Sequence, residues 1–202
     1  MLTIGILGID HRHIYGMWGQ MQALGHRCKG FWTERTPGTL EGFEKRFPDL
    51  KRFDAPDAVL DDPEIDLVLL SGIPRDRADL AVRAMRAGKD VMTDKPGCTT
   101  LEQLAMLRAV QAETGRIWSV DYSERFEVPA VTKAAELVQA GAIGKVVQTV
   151  GLGPHRLNRP TRPDWFFDPE AFGGILTDIG SHQLDQFLFF TGATEAEDVP
   201  AS

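Results

Sequence analysis

Apolar positions follow two alternating patterns over the first 121 residues. Short apolar runs read as buried strands, and stretches with apolar residues three and four apart read as helices. Residues 2–9, "LTIGILGI", are a run of the first kind. Ile14, Met17, Trp18, Met21 and Leu24 then recur at helical spacing, and Gly25 is a natural stop. "CKGFW" (28–32) predicts a second strand, and "IDLVLLS" (65–71) a third that is apolar on both faces, as in a parallel sheet. Residues 75–88 predict a helix with Ala78, Ala81, Val82 and Met85 on one face and Gly88 closing it. "DVMT" (90–93) predicts a strand. Thr99 and Glu102 form a capping box for a helix over 100–114 that Gly115 ends, and "RIWSV" (116–120) predicts one more strand. This alternation predicts an α/β, doubly wound parallel sheet with helices on both faces.

After residue 121 the pattern changes. Pro129 opens a helix that Gly141 ends, and "KVVQTVGLG" (145–153) predicts a strand. Residues 153–164 hold three prolines and read as a loop. "GGILTDIGSHQLDQFLFFTG" (173–192) predicts a long apolar helix entered through two glycines. The division expected is residues 1–121 as one domain and 122–202 as the start of a second.

Composition narrows the partners. The 202 residues carry a net charge of −7, which argues against nucleic acid and anionic membrane. No apolar run approaches a membrane span, and "MLTIGILGI" lacks the basic start and cleavage site of a signal peptide. Cys28 and Cys98 have no metal spacing and read as free thiols of a reducing compartment, so a cytoplasmic protein is expected.

In open parallel sheets, ligands sit beyond the carboxyl ends of the strands. The polar stretches Asp10–His13, Thr33–Arg35, Ser71–Arg77 and Asp94–Pro96 all fall there. "GILGIDHRHIYG" (5–16) begins like a dinucleotide turn, with Gly5 and Gly8 in place, but Asp10 and His13 stand where further glycines belong. Asp10 could cap the next helix, and Arg12 could neutralise either Asp10 or a phosphate. His11 and His13 read as polar helix-start residues rather than metal ligands, because no third ligand is near in sequence. Glu34 is placed to accept from the adenosine ribose hydroxyls, whereas Arg35 leaves room for a 2′-phosphate; NAD is expected over NADP.

Two further stretches carry chemistry. Lys95 of "TDKPG" sits just past the strand 90–93, on the ligand side. Asp178, His182 and Asp185 of "TDIGSHQLD" fall at i, i+4 and i+7 on one helix face, a polar stripe that needs partners or a cleft. The basic positions His155, Arg156, Arg159 and Arg162 read either as a solvated loop or as contacts for an acidic substrate group.

These residues resemble a known family. "AMRAGKDVMTDKPGCT" is similar to the Glu-Lys-Pro segment of the glucose–fructose oxidoreductase, inositol dehydrogenase and MocA family. "GGILTDIGSHQLDQFLFFTG" resembles its second signature, a glycine-led helix with Asp-x-x-x-His-x-x-Asp; "PEIDLVLLSGIP" and "GAIGKVV" fit as well. The resemblance implies a Rossmann domain, a nicotinamide cofactor and a sugar, inositol or related polyol as substrate. It places the catalytic lysine on Lys95 and the aspartate and histidine on Asp178 and His182. These three, with Arg156, are the expected substrate contacts. Gly5, Gly8, Asp10, Arg12, His13, Glu34, Arg35, Ser71, Asp94 and Lys95 are the expected cofactor contacts. Asp94 replaces the family's Glu, and Arg77 stands where a His is usual. His182 is the expected base, with its ring held by Asp178 or Asp185, and Lys95 stabilises the alkoxide. A nucleotide- or sugar-binding sensor without turnover, and a redox-coupled glycosidase or lyase, stay open as alternatives. The family's second domain also contains a large open sheet, commonly the subunit interface. Only one strand for it is predicted here, so a truncated α+β substrate domain and homo-oligomers formed through the missing sheet are expected.

Overall fold

The structure, a computed structural model, describes residues 1–153 and 155–195. Six strands form one sheet: β1 (Thr3–Leu7), β2 (Arg27–Trp32), β3 (Lys51–Arg52), β4 (Leu67–Leu70), β5 (Asp90–Asp94) and β6 (Trp118–Asp121). Their order is β3-β2-β1-β4-β5-β6 and every pairing is parallel. The helices between them are α1 (Ile14–Ala23), α2 (Leu40–Arg46), α3 (Asp57–Leu60), α4 (Pro74–Arg86) and α5 (Leu101–Thr114).

Side-chain alternation explains the two layers. Ile4 and Ile6 of β1, with Leu67 and Leu69 of β4, join Ile14, Trp18, Phe31 and Phe43 in a core under α1 and α2. Leu7, Val68 and Leu70 point the other way, onto Ala78, Ala81 and Met85 of α4 and Leu107 of α5. A strand buried on both faces must be apolar at every position, which is why "LVLL" was readable. The expected cap of α5 is shifted by one residue. Thr100, not Thr99, accepts from the Gln103 amide, and Gln103 reaches back to the Thr99 amide.

Chain order reverses between β1 and β4, and there the backbone is bare. Gly8 has φ +76°, and a Cβ on it would lie 2.6 Å from the Gly72 Cα. Gly5, expected at the cofactor, lies within β1 instead. A Cβ there would meet Val59 at 2.4 Å, so this glycine serves packing.

Beyond β6 the chain forms α6 (Ser123–Phe126), α7 (Pro129–Gln139), α8 (Pro169–Phe172) and α9 (Ser181–Thr191). The strand expected over 145–153 is absent; these residues form no regular element. A strand persists only when neighbours take up its N–H and C=O groups, and among the described residues none lies beside it. The long helix expected over 173–192 is also interrupted. Leu176–Gly180 form a π-helical turn before α9 begins. No described helix is long and apolar enough to cross a membrane.

Candidate functional site

Two groups of side chains meet at the carboxyl ends of β1, β4 and β5. The first joins the sheet to the chain beyond β6. Lys95 leaves the end of β5 almost fully buried, and its Nζ donates to Asp178 Oδ1 at 2.7 Å and to the Asp178 carbonyl at 3.2 Å. The π turn brings Asp178 to this position, and His182 follows one turn later, 1% exposed. Its Nδ1 is sealed and has no hydrogen-bond partner among the described residues. Burial, and after it the Lys95 charge, pull the His182 pKa below its ordinary value, so the ring is neutral at pH 7. The ring faces Tyr122 at 6.0 Å and stacks against His155 at 6.3 Å. His155 in turn pairs with Glu124 at 3.1 Å.

The structure thus brings Lys95, Asp178 and His182 together, but neither aspartate expected to hold the histidine ring does so. Asp178 holds Lys95, not the histidine. Asp185 is taken by Arg125, whose guanidinium donates to both of its carboxylate oxygens at 2.6 and 2.9 Å. Neither aspartate holds the His182 ring.

The second group is a buried hub that the sequence did not reveal. Asp94, expected at the cofactor, is fully sealed. Its carboxylate accepts from Arg77 at 3.1 Å, Ser71 at 3.3 Å, His11 Nδ1 at 2.6 Å and His13 Nδ1 at 2.8 Å. Burial alone would raise its pKa; His11, Arg77 and His13 together outweigh burial and hold it well below the usual carboxylate range. Arg77, also sealed, donates further to the carbonyls of Gly72, Asp94, Lys95 and Pro96. It therefore ties the end of β4 to the turn that carries Lys95. Ser71 is likewise turned inward, away from any cofactor. The donors of His11, His13 and Asp94 lie within 4.8 Å of one another, close enough for a metal ion. Sequence spacing hid this grouping because the third member comes from β5. The Arg77 charge on the same carboxylate opposes a cation there.

The first turn also departs from expectation. Asp10 does not cap α1, whose N-cap is His13, with no side-chain capping bond. The Asp10 carboxylate lies instead near Gly72, and burial raises its pKa. Arg12 is exposed and pairs with no described residue, so it does not neutralise Asp10. The His11 amide, one of those a phosphate would use, is donated to the Ser71 carbonyl at 2.9 Å.

Two clefts open here. One, of about 240 Å³, is lined by Gly8, Trp32, Glu34, Arg35, Gly72 and Leu80, among others. Its bare glycine backbone, apolar walls and carboxylate at the β2 end fit the adenosine half of a dinucleotide. Glu34 and Arg35 are both exposed there, 3.6 Å apart. The other cleft, of about 1140 Å³, runs from His11, Arg12 and His13 to Arg156, Arg162 and Trp165. Lys95, Asp178 and His182 are not among its lining residues, so Arg156 is not brought to them.

Comparison with known proteins follows the same division. Residues 10–122 match the model of an oxidoreductase family with an NAD-binding Rossmann fold, and residues 131–201 match a GFO/IDH/MocA C-terminal domain. The chain is 32% identical over 142 residues to scyllo-inositol 2-dehydrogenase (NAD(+)) of Bacillus subtilis (strain 168), covering 68% of this chain and 39% of that enzyme. It is 26% identical over 202 residues to scyllo-inositol 2-dehydrogenase (NADP(+)) IolW of the same organism, covering 96% of this chain and 53% of that one. A crystal structure from Erwinia carotovora atroseptica SCRI1043, provisionally assigned as an oxidoreductase, superposes with TM-score 0.91 at 43% identity. The match covers 95% of this chain and 57% of that one. The chain thus spans about half the length, or less, of the curated relatives it matches. By both family models, it belongs to the GFO/IDH/MocA family of oxidoreductases with an NAD-binding Rossmann domain.

Proposed function

We propose that this chain takes part in the nicotinamide-dependent oxidation of a secondary alcohol on a sugar, inositol or related polyol, with Lys95, Asp178 and His182 as its catalytic residues. The observation that carries this reading is the buried Lys95–Asp178 pair beside a neutral His182, whose Nδ1 has no partner among the described residues, at the carboxyl edge of the sheet. A bound dinucleotide would supply the hydride acceptor. Gly8, Gly72, Glu34 and Arg35 would hold its adenosine end. His182, neutral at pH 7, is fit to take the hydroxyl proton. The Lys95 ammonium stabilises the alkoxide that remains, and Asp178 fixes where that charge points. Two relatives are named as scyllo-inositol 2-dehydrogenases, which supports a polyol as the substrate class.

Lys95→Ala is expected to lower turnover on inositol substrates at least a hundredfold while leaving NADH affinity within about threefold. Full turnover in the variant would sink the assignment. For the cofactor, Glu34 would accept from a ribose diol and repel a 2′-phosphate, so NADH is expected to bind more tightly than NADPH in a fluorescence titration. The reverse order, by about tenfold, would overturn the role given to Glu34.

A second reading, a binding protein without turnover, draws on the altered first turn. There the His11 amide is spent on Ser71 and Asp10 replaces a glycine. NADH binding with no absorbance change at 340 nm across a polyol panel would favour it, that wavelength being about where reduced nicotinamide absorbs.

A further inference from the structure

The first turn and the turn that carries Lys95 are joined through one carboxylate. Burial opposes ionisation of Asp94, and His11, Arg77 and His13 together outweigh it. An ionised carboxylate can only accept, so both ring nitrogens that meet it donate. His11 Nδ1 stands 2.6 Å from Asp94 Oδ2, and His13 Nδ1 stands 2.8 Å from Oδ1. Asp121, opposite Asp94 in the register of β5 and β6, and Asp10 bond to neither ring among the described residues. Both Nδ1 atoms are therefore committed to Asp94.

The same carboxylate accepts from Arg77 Nη2 at 3.1 Å. Arg77 Nη1 meets the carbonyls of Asp94, Lys95 and Pro96 at 2.7, 2.9 and 3.0 Å, and its Nε donates to the Gly72 carbonyl at 2.9 Å. Three consecutive carbonyls centred on Lys95 are thus fixed by one sealed guanidinium. The Lys95 ammonium in turn reaches Asp178 at 2.7 Å. An ammonium stabilises a developing alkoxide only where it is aimed at it, and a displacement of about 1 Å can slow a reaction about a hundredfold.

We infer that His11 and His13 are positioning residues, which lock the first turn through Asp94 and Arg77 to the backbone that aims Lys95. The role given to Lys95 rests on the proposed function; the link itself does not. His13, expected from sequence as a cofactor contact, becomes a tie between two turns. The link also gives a physical reason for the histidine where a dinucleotide turn has glycine. A glycine at position 13 has no side chain to bring to Asp94, and one carboxylate oxygen would lose its donor.

The test compares variants by where they place the donor. An Asn amide nitrogen falls at about the place of the ring Nδ1, and a Gln amide nitrogen at about that of Nε2. The first readout is acetylation of Lys95 by acetic anhydride, measured by mass spectrometry against the exposed Lys145. The second is turnover on myo-inositol. Lys95 is expected to be protected in wild type and in His11→Asn with His13→Asn. In His11→Gln with His13→Gln its labelling is expected to rise about tenfold, and kcat to fall about a hundredfold, more than KM for NAD rises. If the double Gln chain does not fold, His13→Gln against His13→Asn gives the same comparison. Equal protection in the Asn and Gln variants overturns the inference, as does the reverse order. A raised KM for NAD with kcat unchanged overturns it too, because the rings would then be cofactor contacts. So does wild-type protection that a chelator removes and zinc restores, because the rings would then be metal ligands. The labelling needs no turnover. The expected labelling order without nicotinamide reduction by the wild-type chain would therefore count against the proposed oxidoreductase function and leave this link standing.

Discussion

At the scale of single residues, Asp94 shows how a conservative-looking position can hold a site together. Its sealed carboxylate meets four partners, Arg77, Ser71, His11 and His13, and its depressed pKa is a statement about stability. A carboxylate with a folded pKa below its unfolded value of about 3.9 stabilises the fold at every pH above that value. The contribution is lost as pH falls through the folded pKa. Asp94→Ala leaves the Arg77 charge buried without a counter-ion, which is expected to cost about 3–5 kcal/mol at pH 7. Denaturant unfolding measured from pH 7 down to pH 2 checks this, because the gap between wild type and variant should narrow only at the acid end. A constant gap would mean that packing, not charge, dominates. Little of this was legible in the sequence. Lys95, Asp178 and His182 could be picked out because their residue types and spacing are unusual on otherwise apolar elements. Arg77 could not, since it sits in the basic, ordinary-looking stretch "RDRADLAVRAMRAG" and its guanidinium finds its partners only after β4 and β5 are side by side. The one signal was its presence at a position where the resembled family usually has histidine.

Elements were legible in proportion to their burial. The long buried strands and amphipathic helices, β1, β4 and α4 among them, fall where the apolar pattern puts them, because each must be covered on both faces or along one stripe. The short pieces α2, α3 and β3 carry too few residues for any periodicity to register. The π turn at Leu176–Gly180 is invisible to a pattern that assumes 3.6 residues per turn, yet it is what delivers Asp178 to Lys95. The contact between β1 and β4 is the element-scale feature most open to test. Gly8→Ala requires a left-handed backbone of a residue with a side chain, and it drives the new methyl to 2.6 Å from backbone that cannot move aside easily. A loss of about 2 kcal/mol or more is expected in chemical denaturation, together with a marked loss of NADH affinity. By contrast, Gly25→Ala is strained by its φ of +83° but meets nothing within 4 Å. It should cost only about 1 kcal/mol and leave NADH binding unchanged. Equal effects of the two on NADH binding would remove the special role given to the β1–β4 junction.

For the whole molecule, the two halves bury their apolar groups very differently. Up to β6 most large apolar side chains join one of two cores. After it, Val147, Val150 and Leu152 are 92%, 76% and 84% exposed, and Leu184 of α9 is 60% exposed. Gly151 and Gly153 lie against Gln183, the residue before Leu184 in α9. Two expectations from sequence meet here. The apolar positions of 145–153 predict a strand and residues 173–192 a long apolar helix, but both patterns call for burial without supplying the surface that buries them. Each such side chain would gain about 1.5–3 kcal/mol if fully covered, so several of them together are a strong drive to association. The 202-residue chain is therefore expected to bind an apolar fluorescent dye in its folded state and to self-associate with rising concentration. Val150→Thr combined with Leu184→Gln is expected to reduce both effects without lowering the unfolding midpoint, since neither side chain is packed in a core. Light scattering and dye titration over a hundredfold range of concentration decide it. A wild-type chain that stays monomeric and binds no dye would show that this face does not act as an apolar surface.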